Sequence, residues 1–450
     1  MSAALERMRA EGVGEAAIAT FADQLERLRA GEAGTLPEAE LEPVRELPDA
    51  DALPDDPDAP LDQAVVLKLN GGLGTSMGMS GPKSLIEAKD GLTFLELVAR
   101  QVLALRRRTG ARLPLVLMDS FSTRGPTLAA LARQPGLSGE LAPDFVQNKV
   151  PKLRADDLEP VDWPDDPALE WAPPGHGDLY TALVTSGMLE ALLARGYRWA
   201  FVSNSDNLGA TLDPRILAWV AREELPFAME VRDRTPADRK GGHIAIRRGD
   251  GALVLREVAQ TPDEDVDAFQ DVERHRFFNT NNLWLDLAAL DRALRERDGV
   301  LGLPMIVNRK TVDPRDAGST PVVQLETAMG AAIGVFPGAR AIRVPDVRFV
   351  PVKTTNDLLV LRSDAYVLDE DARLAHAPGR TRAPLVDLDP DVFKLVAAFD
   401  ERFAAGAPSL RGCRRLTVRG DVTFGAGVVV RGDVTVQGPR RVEDGARLEG

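Results

Sequence analysis

Short apolar runs of strand length, alternating with amphipathic helical stretches, constrain this chain more than any other feature. AVVLKLN at 64–70, LPLVLMDS at 113–120, RWAFVSNSD at 198–206 and PFAMEV at 226–231 read as strands. Between them, TFLELVARQVLALRRR at 93–108 and LYTALVTSGMLEALLARG at 179–196 read as amphipathic helices. Such alternation predicts an α/β fold: a central mixed, mostly parallel sheet with helices on both faces, Rossmann-like in plan. Ligands of such sheets sit beyond the C-terminal strand ends. There the polar punctuation falls, with Asn70-Gly71-Gly72 closing one strand and Asn204-Ser205-Asp206 another.

The flanking segments have different textures. Residues 3–30 carry apolar positions at helical spacing, and Gly12 and Gly14 split them into two short helices. Residues 37–62, crowded with proline and acid, bury too little apolar surface to fold alone and read as a solvated linker or extended strap. From Leu416 the chain divides into hexads, LTVRGD, VTFGAG, VVVRGD, VTVQGP, RRVEDG and ARLEG. Their third position is Val418, Phe424, Val430, Val436, Val442 and Leu448, apolar throughout. A six-residue period with one apolar column predicts a short left-handed β-helix. Its open end is a candidate contact surface for a second copy of the chain.

Composition limits the partners. A net charge of −14 argues against nucleic acid, whose phosphates are held by clustered Lys and Arg. An anionic substrate must therefore be met by local cations and backbone N–H groups. Glu6, Arg7 and Arg9 fall where a signal peptide needs an apolar stretch, and no apolar run approaches a membrane span. With the single cysteine, Cys413, these features give the expectation of a cytoplasmic protein.

The sharpest local signal is LNGGLGTSMGMSGPKS at 69–84. Gly71, Gly72, Gly74 and Gly78 permit a backbone whose N–H groups face outward as an anion-binding concavity. Pro82 separates Gly81 from Lys83, so this is not a Walker loop. Gly72, Gly74 and Gly78 also miss the dinucleotide spacing by one residue. Lys83, held behind the rigid Pro82, supplies a cation to the same loop.

With these motifs on the page, residues 61–366 resemble the eukaryotic-type UTP–glucose-1-phosphate uridylyltransferase family, a family of nucleotidyltransferases. The resemblance implies that Leu69, Asn70, Gly71, Gly72, Gly74 and Thr75 lie against UTP and that Lys83 contacts its phosphates. PPGHGD at 173–178 is similar to the family's sugar-phosphate segment, with Gly175 by the uridine and His176 on glucose 1-phosphate. FVSNSDNLGATLD at 201–213 matches a strand end where Asn204 and Asp206 meet UTP and Asp206 binds Mg²⁺. KGGHIAI at 240–246 and EVAQTP at 257–262 have family counterparts without an assigned role. FFNTNNLW at 277–284 supplies Asn279 and Asn281 for sugar hydroxyls, QLETAMGAAI supplies Glu326, and VPVKTTNDLL at 350–359 supplies Lys353 for the reacting phosphates. FVQNKVPKL at 145–153 supplies Gln147 as a uracil contact on a looser match. Met79 and Ser205 stand where the family has cysteine and isoleucine.

Textures and resemblance together divide the chain into three parts: N-terminal helices and acidic strap at 1–60, a catalytic nucleotidyltransferase unit at 61–405, and the β-helix at 406–450. It implies attack by the phosphate of glucose 1-phosphate on the α-phosphorus of UTP, assisted by Mg²⁺, with Lys83 and Lys353 opposing the charge. The alternatives are an enzyme for another sugar 1-phosphate, an N-acetylhexosamine or several sugars, and a nucleotide-sugar-binding protein without catalysis.

Overall fold

The computed structural model describes residues 2–32 and 34–450. Its centre is a ten-stranded sheet. The path runs Leu41–Pro43, His243–Arg247, Phe277–Asp286, Trp199–Asn204, Ala64–Leu69, Leu115–Asp119 and Asp144–Val146. Leu253–Arg256 joins His243–Arg247, Phe227–Asp233 joins Phe277–Asp286, and Arg340–Arg343 lies on Phe227–Asp233.

The sheet has two characters. From Trp199–Asn204 through Asp144–Val146 every pairing is parallel. On the other side Phe277–Asp286 runs antiparallel to each of its neighbours, and the antiparallel pairing continues to Leu41–Pro43. The sheet is mixed, as expected, but it is not mostly parallel: parallel pairing is confined to this run and to Arg340–Arg343 on Phe227–Asp233. The sequence signals behind that expectation came mainly from the buried parallel strands, which are apolar on both faces, whereas antiparallel strands read more weakly.

Alternate residues of the central strands feed two cores. Val66 and Phe201 pack with Phe94, Leu97 and Val98 on one face, while Val65, Leu67, Ala200 and Val202 pack with Leu179, Leu183 and Leu192 on the other. Helix Phe94–Thr109 opens on a capping box, Thr93 with Glu96, and stops at Gly110 in the left-handed region. The stretch 179–196 forms two helices, Leu179–Thr185 and Met188–Ala194, broken at Gly187 with φ +73°.

The N-terminal helices Ala3–Ala10 and Glu15–Arg29 cover a second, three-stranded antiparallel sheet of Met305–Thr311, Pro321–Thr327 and Leu153–Arg154. Met8, Ile18, Phe21 and Leu25 meet Leu153, Met305, Val323 and Leu325 there. The acidic segment 37–62 is not a solvated linker. Leu41–Pro43 pairs on the edge of the main sheet, and Leu41, Val44 and Ala50 are buried. Its few apolar residues suffice because the sheet supplies the rest of the core.

The C-terminal strands are parallel. Leu416 lies opposite Val434, Val422 opposite Arg440 and Val429 opposite Arg447, each partner three hexads further along. Val418, Phe424, Val430, Val436 and Val442 are all buried. Phe424 stacks on Phe403 at 4.9 Å, joining this unit to the core beneath the main sheet. Among the described residues no helix is long and apolar enough to cross a membrane.

Candidate active site

The parallel strands end together at one edge of the sheet, and the glycine loop starts there. Asn70 leaves the Ala64–Leu69 strand with its N–H donating to the Met118 carbonyl at 2.7 Å. Its side chain turns beneath the loop, where Nδ2 donates to Asp119 Oδ1 at 2.7 Å and Thr127 Oγ1 at 2.9 Å. Asn70, buried and with its N–H and Nδ2 both engaged, thus braces the loop from beneath. The loop closes on itself, with Lys83 N–H on the Gly72 carbonyl at 3.2 Å and Leu73 bridged to Pro82. Gly72 is exposed, and a Cβ built on it meets nothing within 4 Å. Thr75, exposed, opens a short turn that buries Met77. A Cβ at Gly71 would fall 2.7 Å from Gln147 Oε1, so the loop and the Gln147 segment come together.

Asp119, the last residue of Leu115–Asp119, anchors both. Its carbonyl accepts the Gln147 N–H at 2.8 Å while its carboxyl holds Asn70. Burial pushes the Asp119 carboxyl up to about 6, opposed by the bonds from Asn70 and Thr123. Asp178 holds the next residue by two bonds, from Asn148 N–H at 2.6 Å and Nδ2 at 2.9 Å, and burial pushes it up to about 7.

Asp206 faces the loop. The Ser205 N–H donates to the Leu69 carbonyl at 3.0 Å, and Asn204 lies half-buried beside it. Lys83 Nζ donates to Asp206 Oδ2 at 2.7 Å. The Asp206 carbonyl accepts the Val352 N–H at 3.3 Å, and Asn207 bridges Pro351. That brings in Lys353, exposed at the cleft, whose N–H donates to Asp357 Oδ2 at 2.9 Å ahead of helix Thr355–Arg362. The apolar run before Lys353 makes a single bridge, not a strand.

Across the cleft, Gly175 has φ +79°, and a Cβ there would lie 2.5 Å from the Thr327 carbonyl and 3.1 Å from Glu326 Cβ. His176 Nδ1 accepts the Met329 N–H at 2.9 Å, which requires an unprotonated Nδ1. The residue is exposed, yet the protein packed around the ring lowers its pKa to about 4, the same neutral state. Asn279 and Asn281 are tied together, Nδ2 of Asn279 on Oδ1 of Asn281 at 2.9 Å and the Asn281 N–H on Asn279 Oδ1 at 2.8 Å. A bulge carries them: the register against Phe227–Asp233 shifts between Glu230 and Val231, and Asn281 takes φ +56°. Glu326, opposite Ile306, is paired with Lys310 at 3.5 Å.

One group here had no role on sequence grounds. Glu257, in EVAQTP, is pushed up to about 7 by burial, partly offset by the Lys353 ammonium. A Cβ on Gly242 would fall 2.6 Å from its carboxylate, and the Gly242 carbonyl accepts the Asn279 N–H. The quoted motif was the available signal. Asp119 had one too, since LVLMD ends on an acid as FVSNSD does.

Comparison with known proteins agrees with this geometry. A family model described as UTP–glucose-1-phosphate uridylyltransferase matches residues 18–431. The chain is 43% identical over 392 residues to the UTP–glucose-1-phosphate uridylyltransferase of Solanum tuberosum, covering 86% of this chain and 79% of the relative. It is 43% identical over 378 residues to that of Saccharomyces cerevisiae, covering 84% and 74%. A mutant UDP-glucose pyrophosphorylase from Leishmania major, solved in complex with UDP-glucose, superposes with a TM-score of 0.94 at 47% identity, covering 99% of this chain and 97% of its own. Motifs, fold and comparisons coincide: the chain belongs to the UTP–glucose-1-phosphate uridylyltransferase family.

Proposed function

We infer that this chain joins UTP and glucose 1-phosphate to give UDP-glucose and pyrophosphate. The observation that carries the reading, beyond family membership, is the meeting of three distant segments. Lys83 bonds Asp206 at 2.7 Å, and the backbone before Lys353 bonds the Asp206 carbonyl at 3.3 Å. A phosphate oxygen of glucose 1-phosphate attacks the α-phosphorus of UTP in line, and the bond to pyrophosphate breaks. Both reactants are anionic and no side-chain nucleophile is needed, so positioning and charge stabilisation do the catalysis.

In this reading the backbone from Leu69 to Gly72, with Gly74 and Thr75, receives the nucleotide, Gln147 reads uracil's edge, and Gly175 and Asn204 line the uridine. Lys83 takes the phosphates once it leaves Asp206. Lys353 opposes the charge that builds on the reacting phosphates. Neutral His176 donates from Nε2 to glucose 1-phosphate, and Asn279, Asn281 and Glu326 hold sugar hydroxyls. Glu257 joins that set as a half-buried carboxyl beside Lys353.

Among the described residues no group of three or more His, Cys, Asp or Glu is placed to hold an ion. Asp206 alone offers a hard carboxylate oxygen at the phosphate side. That donor set fits Mg²⁺ shared with substrate phosphates and water, which needs only one or two carboxylates. Bound there, the ion supplies charge neutralisation.

The three-part division at 60 and 405, a left-handed sense for the C-terminal coil, self-association through its open end and a cytoplasmic setting belong to the same proposal. The free, buried Cys413 supports the last. Pyrophosphate release from UTP with a panel of sugar 1-phosphates tests the main claim. Glucose 1-phosphate should lead. Turnover only with an N-acetylhexosamine 1-phosphate, or none with any sugar, would remove it.

A further inference from the structure

A buried polar lattice under the cleft floor is used by none of these roles. Glu230, on Phe227–Asp233, is fully buried, and a carboxylate there is costly unless its lone pairs are met. All its partners are donors. Oε1 accepts from Trp284 Nε1 at 3.0 Å and Arg348 Nη2 at 2.6 Å, and Oε2 accepts from Asn282 Nδ2 at 3.0 Å and Arg348 Nε at 2.8 Å. Arg348, buried as well, also donates from Nη2 to the Thr211 carbonyl at 2.9 Å.

The lattice then climbs towards the surface. The Arg348 carbonyl accepts from Asn207 Nδ2 at 3.1 Å and Asn282 Nδ2 at 3.2 Å. Asn207 Oδ1 accepts the Val350 N–H at 2.9 Å, and the Val352 N–H reaches the Asp206 carbonyl at 3.3 Å. Residues 348, 350 and 352 are thus each fastened to the strand end that carries Asp206, and Lys353 comes next. A buried ion pair is weak evidence for stability, because an apolar replacement of the same shape is often as stable. What a bidentate guanidinium–carboxylate pair does provide is orientation.

We propose that Glu230 is a positioning residue: through Arg348 and Asn207 it fixes the Lys353 ammonium relative to Asp206. The inference rests on the phosphate role given to Lys353 above, and it adds what holds that lysine in place. Glu230→Gln puts an amide N–H₂ among donors and loosens the fork while keeping the shape. Since a misplacement of about 1 Å can cost ~10²-fold, kcat should fall by about tenfold or more, with KM for UTP changed less than about threefold.

The deciding measurement is a double-mutant cycle in kcat on melt-verified proteins. If Glu230 acts through Lys353, Glu230→Gln should add less than about twofold to the loss already caused by Lys353→Ala. Asn207→Ser, which leaves the Glu230–Arg348 pair intact, should show the same masking, and it stands in should Glu230→Gln fail to fold. Losses that multiply across the cycle would overturn the proposal while leaving the role of Lys353 standing. A Lys353→Ala protein within about fivefold of wild-type kcat would remove that role, and this inference with it.

Discussion

The two sides of the cleft are built by opposite means. On the side proposed for the nucleotide the working surface is backbone: Gly72 is open to the cleft and Gly71 lies against Gln147, while Asn70 is turned inward onto Asp119 and Thr127. On the side proposed for the sugar it is side chains, with Asn279 and Asn281 lifted by a bulge, Glu326 from the small sheet, His176 from a turn and Lys353 from the end of a fastened segment. The first side rests on parallel strands in continuous register, and the second on antiparallel strands whose register breaks. A phosphate chain needs many equivalent N–H donors, which glycine backbone supplies by itself. A sugar needs particular donors and acceptors at particular places, so that side must draw on several elements. The nucleotide side should therefore fail when atoms are added, and the sugar side when atoms are removed.

Asp206 sits where the two sides meet, and removing it should give the largest effect. Asp206→Ala deprives Lys83 of its partner and removes the hard carboxylate proposed for the phosphate side, so kcat should drop by ~10³-fold with the fold intact. Turnover measured across a Mg²⁺ titration, beside a thermal melt, checks this. Near-normal rates at ordinary Mg²⁺ would show that the junction does not depend on this carboxylate.

Lys353→Ala comes second and removes atoms from the sugar side. An exposed lysine ahead of a helix would be silent, within about ±0.5 kcal/mol of stability. A lysine opposing charge built up in transfer should instead cost ~10²-fold in kcat, with KM for UTP changing far less. Steady-state kinetics separate the two, and a loss below about fivefold places Lys353 outside the chemistry.

Gly72→Ala is the matching change on the nucleotide side. An added Cβ meets nothing within 4 Å in the protein, so the variant should melt like wild type. It projects from the face proposed for the phosphates, and KM for UTP should rise by about tenfold, equivalent to ~1.4 kcal/mol. An unchanged KM would mean that the phosphates lie elsewhere on the loop.

The same contrast explains what the sequence made legible. The glycine loop and the strand end at Asp206 are local patterns, readable within a dozen residues. The core strands were readable because burial on both faces leaves an unbroken apolar run. The hexads showed their apolar column for the same reason, and their parallel pairing follows it. Asn279, Asn281, Glu326 and Lys353 were reachable only through family resemblance, since nothing in their neighbours in sequence brings them together. Glu230 and Arg348 were out of reach. A charged residue in an apolar strand, like Glu230, or in a short turn, like Arg348, carries no mark of whom it will bond until the sheet is assembled. The edge strand Leu41–Pro43 was hidden likewise, because its apolar partners lie on His243–Arg247 and not in the acidic strap itself.

The smallest effect on turnover is expected at Asp119, beneath the nucleotide side, where the change touches no substrate. Its carboxyl is buried, with Oδ2 lacking a partner among the described residues. Asp144 on the adjoining strand acts on it through space, and Arg124 bonds Asp144 at 2.7 Å. Burial raises the Asp119 pKa from the 3.8 of an ordinary aspartate to about 6. The folded protein thus keeps this proton over a range where the unfolded chain has lost it. The group therefore lowers stability as pH rises from about 4 to about 6, and its contribution is level above that. Asp119→Asn cannot ionise, yet its amide can still accept from Asn70. Relative to wild type the variant should gain roughly 2–3 kcal/mol between pH 4 and pH 7, with kcat unchanged within about threefold. Paired denaturant titrations across that range isolate the effect, because Asp178 and Glu257 titrate alike in both proteins and cancel. If the two curves stay parallel, Asp119 ionises like a surface acid. If instead kcat collapses while stability behaves as expected, the floor beneath the loop takes part in the chemistry, and the division between a backbone side and a side-chain side is drawn in the wrong place.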